Sequence, residues 1–362
     1  MTLLWVDGFD LLGSADITTK WNGGLVQTGT NGGSTSISNV AANTPYGAGQ
    51  SLISGWINFN TGSGSYIYTN IGFTRSTLIC GFAYNVGTFG NDNPPILGFM
   101  DSTSTQCTLN INSTSNFLQV KRGATVLATG TTVIHINQWN YFEIQVTFAT
   151  GATGSVAVHV NGVSDISASS VQTASTSNAS ANGVAIGQLA ARFSIGTTNA
   201  IYDDLYVCDT SGGVNNTFLG PIRVIGLLPS GAGTNTNLTK GGSSPAATNW
   251  QSVNNLPEDN DITYVSSSVT TTYDTYAITD APSSVSAILA VVASPVARRD
   301  DAGLRSLSTR VRSGGTEADS PTSIALTPTY LVQEMVMENN PVTSAPWVVT
   351  DFNAAEIGPK VL

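Results

Sequence analysis

Charge is scarce in this sequence. Asp, Glu, Lys and Arg make up 10% of its 362 residues, against about a quarter in an ordinary globular protein. Positive charge is scarcer still, with 13 Lys and Arg against 23 Asp and Glu and a net charge of −10. Such a surface repels phosphate, which excludes nucleic acid as a partner. Cysteine is nearly absent. Cys80, Cys107 and Cys208 are odd in number and far apart, which excludes a disulfide framework and a C-x-x-C zinc site and predicts three buried thiols. His135 and His159 are the only histidines, and neither has His-Glu-x-x-His spacing. No Gly-x-Ser-x-Gly elbow in a strand–turn–helix context accompanies them, so a metalloprotease and a serine hydrolase are not expected. Long apolar runs are missing too. AILAVVASPVA at 287–297 comes nearest and falls short of the roughly 20 residues of a membrane span, so no membrane insertion is expected. The opening residues Met1–Asp10 lack a basic stretch and are not expected to be a signal peptide.

What fills the space is Ser, Thr, Asn, Gln and 37 glycines. These residues disfavour helix interiors and favour strands and turns. Short alternating runs recur at Ser51–Phe59, Leu78–Tyr84, Phe117–Val120, Thr125–Leu127, Tyr141–Phe148, Ser155–Val160 and Leu205–Cys208. Lys121-Arg122-Gly123-Ala124 predicts a hairpin, and Asn161-Gly162 predicts a type I′ turn, whose central residues both need positive φ. Strand patterns return at Ile262–Val265, Thr272–Ile278, Ser286–Ala293, Ser308–Val311 and Tyr330–Val336. Between the two sets, 229–248 (PSGAGTNTNLTKGGSSPAAT) has almost no apolar content and reads as a linker. The expected fold is all-β, with two β-sandwich domains at 1–228 and 229–362.

One stretch carries a resemblance. Trp139-Asn-Tyr-Phe-Glu-Ile-Gln-Val, a turn, and Ser155-Val-Ala-Val-His-Val-Asn-Gly162 resemble the paired strands of laminin-G-like and concanavalin-like jelly rolls. Phe142, Ile144, Val146 and Phe148 share one strand face, and Val156, Val158 and Val160 share one face of its neighbour. Ile201-Tyr-Asp-Asp-Leu-Tyr-Val-Cys-Asp resembles that family's closing strand, which implies pairing near Leu4–Asp10. The second half resembles tail-associated virion proteins of tailed phages, on Asn249-Trp-Gln-Ser-Val-Asn, Asp261-Ile-Thr-Tyr-Val, Tyr273-Asp-Thr-Tyr, Arg312-Ser-Gly-Gly and Trp347–Lys360. These resemblances imply a non-enzymatic structural component of a virion, touching other virion proteins and forming a homo-oligomer. The alternatives are a carbohydrate-binding module that adsorbs to a host surface glycan, and a head decoration or fibre protein.

The site residues follow from alternation and charge. Glu143 is the only Glu before Glu258, so the carboxylate pair that a retaining glycosidase holds about 5 Å apart is missing. Tyr141, Glu143, Gln145 and His159 lie on the strand face opposite the core and form the candidate glycan-binding face. Asp7 and Asp10 on the first strand and Asp203 and Asp204 on the closing strand would converge at one rim, either holding Ca²⁺ or capping turns; no other cofactor is expected. Arg298, Arg299, Arg305, Arg310 and Arg312, interleaved with Asp300 and Asp301, suggest salt bridging. Together with Trp347 they form the candidate subunit interface.

Overall fold

The computed structural model describes residues 2–13, 17–21, 35–38, 51–56, 66–87, 93, 95–187, 189 and 198–362; positions 57–59 of the expected strand Ser51–Phe59 lie outside them. The chain is all-β and divides into two compact units. The larger comprises Thr2–Asp10 and Trp21–Ile225; the smaller comprises Leu11–Lys20 and Gly226–Leu362. Among the described residues no helix is long and apolar enough to cross a membrane.

The larger unit is built on two antiparallel sheets. Its strands are β1 (Leu3–Asp7), β2 (Thr35–Ser38), β3 (Ser51–Trp56), β4 (Tyr66–Arg75), β5 (Thr77–Val86), β6 (Pro95–Asp101) and β7 (Ser104–Ile111), then β8 (Leu118–Arg122), β9 (Thr125–Thr129), β10 (Asn140–Thr147), β11 (Gly154–Val160), β12 (Val163–Val171), β13 (Ala181–Gly187) and β14 (Thr198–Cys208). The first sheet has the order β12-β11-β10-β5-β14-β3-β2, with β1 also on β14; the second has the order β4-β13-β6-β7-β8-β9.

The alternation decides what faces inward. Phe142↔Val160, Ile144↔Val158 and Val146↔Val156 pair across β10 and β11, and all six are almost wholly buried. In the second sheet, Ile67, Ile186, Leu97, Leu109 and Val120 form one continuous cross-strand row, each at most 1% exposed. These two apolar faces make the core, to which Phe82, Tyr84, Phe142 and Tyr202 add edge-on and tilted ring contacts. The turn at Asn161 (φ 53°) and Gly162 (φ 79°) joins β11 to β12 with both residues in the left-handed region.

The smaller unit is built on one antiparallel sheet in the order Pro229–Thr236, Asp274–Ile278, Glu356–Val361, Ser306–Ser313, Thr316–Asp319, with Ile324–Ala325 also on Ser306–Ser313. Two-stranded ribbons accompany it, including Val291–Ala293 with Met335–Met337. Val311, Met337, Trp347, Phe352 and Ala355 form its core. The expected linker 229–248 is corrected here. Pro229–Thr236 is an edge strand of this sheet, and Thr239–Gly241 pairs with Tyr264–Ser266. A ladder needs backbone N–H and C=O groups rather than apolar side chains, and an edge strand tolerates a polar composition.

Candidate functional site

The strand face carrying Tyr141, Glu143, Gln145 and His159 does lie opposite the core, but it is not open. Tyr141 is 4% exposed and Glu143 is fully buried; Gln145 and His159 are half-buried. The cover is the segment after β14. Glu143 sits opposite Gly81 on β5, and a Cβ at Gly81 would stand 2.1 Å from the Tyr206 ring. Glycine there lets the ring lie against the sheet, and the Tyr206 hydroxyl donates to Glu143 Oε1 at 2.6 Å. The Gly220 N–H donates to the same oxygen at 2.8 Å. Phe218 packs on His159 with ring centroids 4.1 Å apart, and the Tyr141 hydroxyl donates to the Asp204 carbonyl at 2.9 Å. The expected glycan face is therefore a packed layer. Alternation identifies which residues share a face, not what lies on top of it.

The acidic residues of the expected rim also come together, with Asp204, Asp10 and Asp7 all acting on Asp203. β1 pairs with β14, with Asp7 opposite Leu205. Asp7 accepts from Phe9 N at 2.7 Å and Trp21 Nε1 at 2.8 Å. Asp203 accepts from Asp204 N, and Asp204 Oδ1 accepts from Val224 N at 2.7 Å. Asp7 Oδ1, Asp203 Oδ1 and Asp204 Oδ1 hold local turns and corners, while Asp204 Oδ2 is buried with no hydrogen-bond partner among the described residues. Among the described residues no three His, Cys, Asp or Glu side chains are grouped to hold a metal ion.

This corner makes stability depend on pH. Burial, then the neighbouring Asp204 charge, push the Asp203 carboxyl up to about 9 from 3.8, with smaller contributions from Asp10 and Asp7. Burial pushes Asp204 up to about 7, against the Val224 N–H and Arg223. A raised carboxyl binds its proton in the folded state where the unfolded chain has released it. The stabilisation is thus complete below about pH 4 and is lost as pH rises toward 9. The melting temperature of the larger unit is expected to fall between pH 5 and pH 9, and Asp203→Asn, which cannot ionise, is expected to flatten that slope. An identical slope in the variant would remove Asp203 as its source.

The outer face of the second sheet holds a constellation that sequence reading missed. Tyr68, Ala185, Gly98, Thr108 and Lys121 form one cross-strand row on the face away from the core. Tyr68 and Lys121 are four strand steps apart, about 19 Å at 4.8 Å per step. Beside this row, Tyr66 pairs with Gly187 and Asn110 with Gln119. Between the long side chains Ala185 and Gly98 are buried, and Leu189 Cδ2 stands against Gly98, 3.4 Å from a Cβ built there. Tyr66, Tyr68, Gln119 and Lys121 are all half-buried. Thr108 Oγ1 donates to Asn110 Oδ1 at 2.6 Å, and Asn110 Nδ2 donates to the Asn93 carbonyl at 2.8 Å. Among the described residues no hydrogen bond or ion pair engages the Lys121 ammonium, and partial burial lowers its pKa. The available signals were the alternation Tyr66-Ile-Tyr-Thr and the lysine of the β8–β9 hairpin, but only the register across β13, β6 and β7 aligns them.

The arginines expected at a subunit interface are engaged within the smaller unit. Arg310 pairs with Asp319 at 2.7 Å and Glu317 at 3.3 Å and lies over the Tyr273 ring at 4.6 Å. Arg312 reaches Glu356 at 3.5 Å, Arg298 pairs with Asp261 at 3.0 Å, and Arg305 pairs with Asp301. Arg299 donates to the Leu326 carbonyl at 3.1 Å. Trp347 is corrected outright: it is 3% exposed, in the unit's own core, and its Nε1 donates to the Met337 carbonyl at 3.0 Å.

No family model and no curated protein matches the sequence. Solved structures do. An endo-β-1,4-glucuronan lyase from the fungus Trichoderma reesei is 16% identical, with a TM-score of 0.47, over 62% of this chain and 100% of that one. The alginate lyase Aly36B is 10% identical, with a TM-score of 0.41, over 57% and 97%. The catalytic domain of a glycoside hydrolase family 131 protein from Coprinopsis cinerea is 16% identical, with a TM-score of 0.38, over 61% and 99%. These are carbohydrate-active β-sandwich proteins, and nothing among them points to a phage particle. The expectations of a tail-associated virion component and of a chain without enzymatic activity are overturned by this finding. At such identities and scores the likeness assigns this chain no reaction and no substrate; what it shares with them is the β-sandwich.

Proposed function

We propose that the larger unit binds an acidic polysaccharide across the outer face of its second sheet. The observation that carries this reading is Lys121. It is a half-buried ammonium with no ion pair or hydrogen bond among the described residues, and it stands in one row with Tyr68. A partly desolvated cation gains most from an anion that replaces its lost water. Tyr66 and Tyr68 offer ring faces on which the C–H face of a sugar can stack. Gln119, two residues from Lys121 on the same strand, supplies an amide at that end of the row. The span from Tyr68 to Lys121 suits a short oligosaccharide laid across the strands, its acid group at Lys121.

The test is binding of the purified chain to a polyuronate and to a neutral glucan, with chain cleavage followed in the same samples. A charged hydrogen bond contributes about 1.5–3 kcal/mol. Lys121→Gln is therefore expected to weaken polyuronate binding about tenfold or more while leaving any weak glucan binding unchanged. Tyr68→Ala is expected to weaken both. Polyuronate binding should also fall with added salt. Failure to bind polyuronate, or equal binding by wild type and Lys121→Gln, would end this reading.

A further inference from the structure

The smaller unit holds a cleft of its own, with a volume of about 370 Å³. Trp250 and Tyr276 line it together with Asn249, Lys240 and Thr236. Tyr276 is buried, and its hydroxyl is turned away to Asp274 Oδ2 at 2.7 Å, so the ring presents carbon to the cleft. Trp250 is half-buried, leaving part of the indole surface open.

Asn249 is the second observation. It is 6% exposed. Its Nδ2 donates to the Leu238 carbonyl at 2.8 Å and to Asp274 Oδ2 at 2.6 Å. Both partners are acceptors, so the amide orientation is set and both of its hydrogens are used. Among the described residues no group donates to its Oδ1, and Asn249 lines the cleft. It is an ordered acceptor facing the cleft. At the rim, Lys240 Nζ donates to the Ala247 carbonyl at 2.5 Å, and two more N–H groups remain for a ligand. Asp274, which holds Asn249 and Tyr276, is fully buried and engaged through both oxygens.

We infer that this cleft binds a single pyranose ring carrying a carboxylate, stacked on Trp250 with a hydroxyl donated to Asn249 Oδ1 and its carboxylate on Lys240. The arrangement has one apolar wall, a fixed acceptor and a cationic rim. An acyl chain would leave Asn249 and Lys240 unused. A phosphate group would meet a single cation among the lining residues, Lys240, and leave the Trp250 face unused. A sugar ring has the matching pattern of an apolar face and a polar edge. The inference does not rest on the site proposed for the larger unit, which uses different residues.

The experiment uses the full chain carrying Lys121→Gln and Tyr68→Ala, so that the larger unit's proposed site contributes nothing. Methyl glucuronide and methyl glucoside are titrated, with binding read by ligand-observed NMR and calorimetry. Saturable millimolar binding is expected, with the glucuronide about tenfold tighter through its charged contact. Trp250→Ala is expected to abolish binding, Trp250→Tyr to retain part of it, and Lys240→Gln to remove only the preference for the acid. An unchanged melting transition in each variant separates loss of the site from loss of the fold. No saturable binding of either glycoside, or full binding by a folded Trp250→Ala chain, would overturn the inference. Equal affinity for the two glycosides would overturn the assignment of the carboxylate to Lys240.

Discussion

Asp274→Ala is expected to cost the smaller unit on the order of 4–5 kcal/mol, at the upper end of single substitutions. Asp274 is fully buried. Its Oδ1 accepts from the backbone N–H groups of Asn237 at 2.6 Å and Leu238 at 2.8 Å. Its Oδ2 accepts from Asn249 Nδ2 at 2.6 Å and the Tyr276 hydroxyl at 2.7 Å. Truncation leaves these four donors without their acceptor, and each orphaned buried group costs roughly 1–3 kcal/mol. Water entering the space recovers part of the loss, which keeps the total below the simple sum. The melting transition should fall by roughly 15 °C, and the amides of Asn237 and Leu238 should lose protection from hydrogen exchange. Asp274→Asn should fall in between, because its amide nitrogen turns a donor toward donors. A loss below about 1 kcal/mol in Asp274→Ala would show that the donors find other partners and that the carboxylate does not organise this region.

The second large effect is expected at Lys20 and Glu334. Their charged groups are 2.8 Å apart, with side-chain exposures of 7% and 3%. Lys20 ends the short helix Ile17–Lys20, part of the early segment that belongs to the smaller unit. Removing one partner takes from the other its buried ion pair, so Lys20→Met and Glu334→Leu should each cost about 3–5 kcal/mol. The double variant Lys20→Met/Glu334→Leu should recover most of that loss, since an apolar pair has no charge to desolvate. Urea unfolding of the two single variants and the double variant closes the cycle. Additive losses in the double variant would mean that the two charges do not stabilise each other.

The strands β10 and β11 were legible because their alternation is strict. Phe142, Ile144 and Val146 against Val156, Val158 and Val160 define the core face, and Asn161-Gly162 marks where the chain turns. The same alternation could not show that Glu143 lies beneath Tyr206 and Gly220. That contact joins residues 63 and 77 positions apart, and no local pattern encodes a cover of that kind. Composition misled at 229–248, where the absence of apolar side chains concealed an edge strand held by its backbone.

By itself the sequence determined the all-β class, the pairing of β10 with β11, the type I′ turn, and the mixed-sign arginines as salt-bridging residues. Each of these depends on near neighbours, on side-chain parity along a strand, or on the φ that a residue type tolerates. Tertiary structure alone decided that Glu143 is buried, that Trp347 is core, that Arg312 finds Glu356, and that Tyr68 and Lys121 stand in one row. Burial and ion pairing depend on which distant segment is laid alongside, and cross-strand register sets that through backbone hydrogen bonds common to every residue type except proline.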